Sequence, residues 1–172
     1  SGPLSDTLAA SISVLHDQRD GFVTDPLTGE EYNDEGTTVA RVKAIWRPTD
    51  RLQMTFAADY TQEDVALTLG RAEAPLTSFD LAGAFPVRFV PSEEDWDFES
   101  STSLGDADGQ ETDHWGLNLT LAWDLSETLT FKSISAYRDL ESNLFIDIDA
   151  TTLELGDVFV GIDQDQFSQE FQ

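Results

Sequence analysis

Two histidines, His16 and His114, each stand beside an aspartate, Asp17 and Asp113. A carboxylate next to an imidazole is the start of a general base, but a hydrolase also needs a nucleophile or activated water within reach. No serine can be placed there from spacing, and both histidines fall near segment ends, so exposed strand-end side chains are expected and no enzyme. The chain has no cysteine, which removes a disulfide framework, a thiolate metal cluster and a cysteine nucleophile, and suits passage through an oxidising compartment. Residues 93–113 hold nine acidic side chains, interrupted by Trp96 and Phe98 and including Asp106-Ala107-Asp108-Gly109. Alternate carboxylates before a glycine share the opening of a calcium loop. The acidic ligand at the far end is not at its usual spacing, so a solvated, self-repelling loop is expected, with no metal and no cofactor. The same region carries Arg88 with Phe79, Phe85 and Phe89, its freedom limited by Pro75, Pro86 and Pro91. Such aromatics could grip a ligand or pack the loop onto its neighbours.

Thirty-four acidic against nine basic residues give a formal charge of −25, which repels nucleic acid phosphates and excludes that class of partner. No stretch approaches the roughly 20 apolar residues of a membrane helix, and residues 1–6 lack the basic-then-apolar pattern of a signal peptide. A transmembrane β-strand needs only about 9 to 11 residues of alternating polarity, so a mean hydropathy of −0.30 is compatible with a membrane barrel.

Six segments alternate with period two and predict strands near residues 8–17, 38–47, 52–60, 115–124, 129–138 and 165–172. In the second, Ala40, Val42, Ala44 and Trp46 oppose Arg41, Lys43 and Arg47. The third sets Leu52, Met54, Phe56, Ala58 and Tyr60 against Gln53, Thr55 and Asp59, and the fourth sets Trp115, Leu117, Leu119, Leu121 and Trp123 against Asn118, Thr120 and Asp124. The fifth is noisier, because Ser133 and Ser135 share a face with Phe131 and Tyr137. Asn118-Leu119-Thr120 matches a glycosylation sequon but falls inside a strand, and is set aside. Links 48–51 and 125–128 have the length of hairpin turns, whereas links 20–36, 61–113 and 140–164 are long. This regular alternation of short and long connections belongs to an outer-membrane barrel, with short periplasmic turns and long extracellular loops.

Aromatic side chains sort the same way. Trp46 and Trp123 flank the short turns, while Tyr60, Trp115 and Tyr137 flank the long loops, as two interfacial girdles would. The cations Arg41, Lys43, Arg47, Lys132 and Arg138 have the parity opposite to the apolar faces, which sets them on a barrel interior as contacts to a plug or an anionic ligand, or as solvated wall. A soluble antiparallel sandwich would bury the same alternating faces and is the competing fold.

The residues also resemble a family, the TonB-dependent outer-membrane receptors. Gly2-Pro3-Leu4-Ser5-Asp6-Thr7-Leu8-Ala9-Ala10 with Arg19-Asp20-Gly21-Phe22 is similar to their early barrel, and Trp46-Arg47-Pro48-Thr49-Asp50 to one of their periplasmic turns. The most specific likeness is Leu121-Ala122-Trp123-Asp124-Leu125-Ser126 running into Leu129-Thr130-Phe131-Lys132-Ser133-Ile134-Ser135-Ala136-Tyr137-Arg138, with Gln166-Phe167-Ser168-Gln169-Glu170-Phe171-Gln172 behind it. The resemblance implies a barrel of about 22 strands around a plugged lumen, in the bacterial outer membrane, driven through the periplasmic coupling protein TonB. Its implied partners are lipid, a plug domain, further barrel strands and a small-molecule ligand such as an iron-siderophore complex. Residues 1–172 are then expected to be one partial barrel domain, an all-β, open, curved sheet of about six transmembrane strands. Arg41, Lys43, Arg88, Trp96, Lys132 and Arg138 are its candidate ligand or plug contacts. A passive channel and a soluble carbohydrate-binding sandwich are the alternatives.

Overall fold

Period-two alternation drives an extended backbone that alternates its side chains between two faces, and such backbone dominates the chain. The computed structural model describes residues 1–71, 76–79, 86–89, 97–105, 109–154 and 156–172, with the backbone alone at 76–79 and 86–89. Among these residues there is no helix. The strands are β1 (Gly2–Pro3), β2 (Leu8–Arg19), β3 (Val23–Thr24), β4 (Glu31–Tyr32), β5 (Glu35–Thr49), β6 (Leu52–Ala66), β7 (Leu76–Phe79), β8 (Pro86–Phe89), β9 (Gly109–Asp124), β10 (Thr130–Ile146) and β11 (Val158–Phe171). Seven of them form one antiparallel sheet in the order β1-β2-β5-β6-β9-β10-β11, and β3–β4 and β7–β8 form two small ribbons. The sheet is open, ending on β1 and β2 at one edge and on β11 at the other.

The connections follow from local chemistry. Between β5 and β6 only Asp50 and Arg51 remain as turn, because pairing resumes at Thr49 and Leu52 after an irregularity next to Pro48. Proline has no N–H to give to a ladder, so a shift of register beside it is expected. Between β9 and β10, the Leu125 and Ser126 amides donate to the Leu129 carbonyl at 2.9 and 3.2 Å, and the Thr128 amide donates to Ser126 Oγ at 3.3 Å. Both turns lie at one end of the sheet, and all three long connections lie at the other.

Three expectations change. The sheet has seven strands rather than six, because the two-residue β1 folds back onto β2, pairing Gly2 with Ala10. The strands also run further than hydrophobic alternation reaches: β10 has 17 residues and ends at Ile146, and β11 begins at Val158 rather than near 165. Finally, β5 begins at Glu35, β6 ends at Ala66 and β9 begins at Gly109, so the long connections are shorter than 20–36, 61–113 and 140–164. Backbone pairing does not need an apolar face, and it continues where both faces have become polar.

One face of the sheet is apolar across every long strand. Its cross-strand rows run Ile12, Val42, Ala58, Leu117, Tyr137, Phe167 and, next to it, Ala10, Ala44, Phe56, Leu119, Ser135, Gln169. No element packs against these rows among the described residues: Ile12, Phe56, Leu117, Leu119 and Phe167 are all exposed. Between Glu111 and Leu119 of β9 the exposed positions are Glu111, Asp113, Trp115, Leu117 and Leu119, whereas the intervening residues on the polar face are half-buried or buried. With no second layer to cover it, the polar face is the more crowded of the two, as curl toward that face produces.

The described core is small and sits at the long-loop end. Val23, Tyr32, Leu67 and Leu69 are buried together, with Ala66, Leu104 and Phe145 against them. Asn33, at φ 62°, ties the first loop to the second. Its amide donates to the Leu67 carbonyl at 3.0 Å, its Oδ1 accepts from the Leu69 amide at 2.7 Å, and its Nδ2 donates to the Leu69 carbonyl at 3.0 Å. Asparagine tolerates the left-handed region, so the side chain can imitate a further strand here.

Candidate functional site

Two surfaces have the organisation a function would need: the apolar face with its borders, and the polar face with its cations. Between the turn end and the long-loop end, the apolar face of β2, β5, β6, β9, β10 and β11 carries no charged side chain from Leu8 to Val14, Ala40 to Trp46, Leu52 to Tyr60, Trp115 to Trp123, Phe131 to Tyr137 and Phe167 to Phe171. A quarter of all residues are charged, so this absence sets the face apart from the rest of the chain. Its polar members satisfy one another: Ser135 Oγ donates to Gln169 Oε1 at 2.6 Å, and Gln169 Nε2 donates to Ser133 Oγ at 3.0 Å.

Aromatic residues border the band. Tyr60 pairs directly with Trp115, and Trp115 meets Tyr137 with ring centroids 5.2 Å apart. At the turn end Trp46 pairs with Met54 and Trp123 with Leu52, one row apart. In the Tyr60–Trp115 row itself the same face turns acidic on β10 and β11, at Asp139 and Asp165, and one step beyond it at Asp113, Glu141 and Asp163. Tyr60 donates to Asp113 at 2.6 Å and Tyr137 to Asp139 at 3.3 Å, so each tyrosine holds its apolar ring in the band and its hydroxyl in the acidic layer.

The polar face holds the predicted cations together. One row reads Ser13, Arg41, Asp59, Gly116, Arg138, Gln166 and the next Ser11, Lys43, Ala57, Asn118, Ala136, Ser168. Asp59 stands directly opposite Arg41, yet its carboxylate is bound by Arg138, which reaches it across β9. Gly116 is what makes that reach possible. A Cβ there would lie 2.5 Å from Arg138 Nη1 and 2.7 Å from its Cδ and Cζ. Arg47 donates to Gln53 at 2.8 Å, and Lys132 Nζ lies 3.5 Å from Gln172 Oε1. Among the described residues Arg41 and Lys43 have no hydrogen-bond or ion-pair partner.

The Gly116 and Arg138 relation was not visible in sequence, because only the strand register sets Asp59, Gly116 and Arg138 in one row. Arg88 falls in β8 opposite Thr77, and Trp96 and Asp106 to Asp108 lie outside the described residues. His16 accompanies Thr38 at 3.0 Å on the apolar side, whereas His114 belongs to the polar face of β9, with β5 and β6 in between, so the two histidines are not brought together. Among the described residues no group of three acidic or histidine side chains could hold a metal ion.

Charge is divided along the strands. Residues 15–39, 61–114 and 139–166 contain twenty-eight acidic and three basic side chains, while the rest of the chain contains six of each. The whole net charge therefore belongs to these three segments of the sequence. No family model, curated protein or solved structure matches the chain.

Proposed function

We propose that the chain is part of a transmembrane β-barrel of the bacterial outer membrane, with its apolar face toward lipid, its polar face toward a lumen and its long loops outside the cell. The observation that carries this reading is the exposed, charge-free band bordered by aromatic rows at both ends. Exposed apolar area of this extent in water would drive association, whereas hydrocarbon about 25 Å thick flanked by interfaces matches it. From Trp115 to Trp123 is about 26 Å along the strand at ~3.3 Å per residue, or about 19 Å of depth at ~45° tilt. A soluble sandwich needs a second sheet over the same face, and no such layer is present among the described residues.

Within that reading, the resemblance to TonB-dependent receptors favours energy-coupled uptake of a scarce nutrient, most simply an iron-siderophore complex. The remaining strands, a plug domain and the coupling protein would be supplied by the rest of the receptor. The role is capture and passage rather than catalysis. The test places a fluorescent probe at Leu119 or at Asn118 in protein reconstituted into bilayers and measures quenching by lipid-borne spin labels. Strong quenching at Leu119 with little at Asn118 is expected; equal protection of both would sink the barrel reading.

A further inference from the structure

Carboxylates outnumber cations nearly four to one in this chain, so a cation left without one needs a reason. Arg41 and Lys43 are two residues apart on the polar face of β5, roughly 7 Å along the strand, and neither has a partner among the described residues. The carboxylate nearest by register, Asp59, is taken up by Arg138 through the gap at Gly116. Around Lys43 the face is also hollow. Its flanking neighbours Ser11 and Ala57 are small, and a cavity of about 410 Å³ opens beside it, walled by Pro3, Ala9, Ser11 and Ile45. That volume is in the range of small-molecule sites.

We propose that Lys43, with Arg41 above it, binds the oxyanion of a small organic acid, a carboxylate or phosphate ester whose compact apolar body lies against Pro3, Ala9 and Ile45. Both cations are exposed to water, so the contact is a solvated one in which the ammonium supplies the charge and the guanidinium supplies directed donors. Asp59 does not compete for the site because Arg138 holds it. The inference goes beyond the barrel reading and needs only that the polar face be open to water.

The test uses the full chain refolded into detergent micelles, with a ¹³C-methyl label on Ile45 as the local reporter. Benzoate is titrated as oxyanion plus apolar body, benzamide as its neutral counterpart and inorganic phosphate as oxyanion alone. Saturable shifts of the Ile45 methyl are expected with benzoate, weaker ones with phosphate and none with benzamide. Lys43→Met is expected to weaken benzoate by about tenfold, Lys43→Arg to retain it, and Arg19→Gln, at the far end of the sheet, to leave it unchanged. Equal binding of benzoate and benzamide, or of benzoate to wild type and Lys43→Met, would overturn the site, as would the absence of any shift. Should Lys43→Met fail to fold, the salt dependence of benzoate binding to wild type decides, since binding indifferent to added salt excludes an ion contact. The lipid-quenching contrast between Leu119 and Asn118, read in separate samples, reports on the membrane reading alone.

Discussion

At Gly116 the missing Cβ matters more than any freedom of the backbone. The Arg138 side chain lies across β9 in the space a methyl group would occupy, and it bridges β10 to β6. Alanine at 116 must push the guanidinium off Asp59, a half-exposed pair worth about 1 kcal/mol. In an Arg138→Ala background those three nearest contacts are gone, and the same alanine removes a glycine from a strand, a gain of about 0.5 kcal/mol. Gly116→Ala is therefore expected to destabilise the wild type and to stabilise Arg138→Ala, measured as a double-mutant cycle by urea unfolding in lipid vesicles; additive effects would show that Arg138 does not cross at Gly116. A reader of the sequence sees the parity of Arg138 and of Asp59 but not their meeting. Parity is a property of each strand alone, whereas the meeting depends on register between three strands that lie far apart in the chain.

The strands themselves were legible where one face is apolar and silent where it is not. Residues 8–17, 38–47, 52–60 and 115–124 alternate cleanly because one face is apolar and the other polar, and all four fall within observed strands. Beyond Tyr137, β10 continues through Asp139, Glu141 and Asn143 on one face and Leu140, Ser142 and Leu144 on the other, and a period-two hydrophobic signal inverts or vanishes there although pairing persists. β1, β3 and β4 are two residues each, too short for any periodicity. Two predictions belong at this scale. Leu119→Arg, mid-band on the apolar face, should cost about 2 to 4 kcal/mol in vesicles, whereas Asn118→Arg should cost near zero; equal costs would contradict the two-faced sheet. Asn33→Ala should speed hydrogen exchange at the Leu69 amide, whose acceptor it removes, while amides of β9 and β10 keep their protection. Uniform loss of protection would mean that the loop core and the sheet unfold together.

For the whole molecule, two features act at long range. The sheet ends on open strands, and unpaired N–H and C=O groups along β11 invite a neighbour. The isolated chain in micelles is expected to sediment as more than one copy, and a monodisperse monomer would show that these edges are shielded by another means. The second feature is the continuation of paired backbone past the outer aromatic row. From Tyr137 to Ile146 the strand β10 adds about 30 Å of rigid sheet, or about 21 Å of height at ~45° tilt. Tyr32 and its buried neighbours are held near the top of that wall. In the barrel orientation, this lifts the loops clear of the head-group layer on a stiff parapet. A solute, an antibody or a phage tail would then meet protein well above the lipid, and first recognition would occur in open water rather than at the membrane surface.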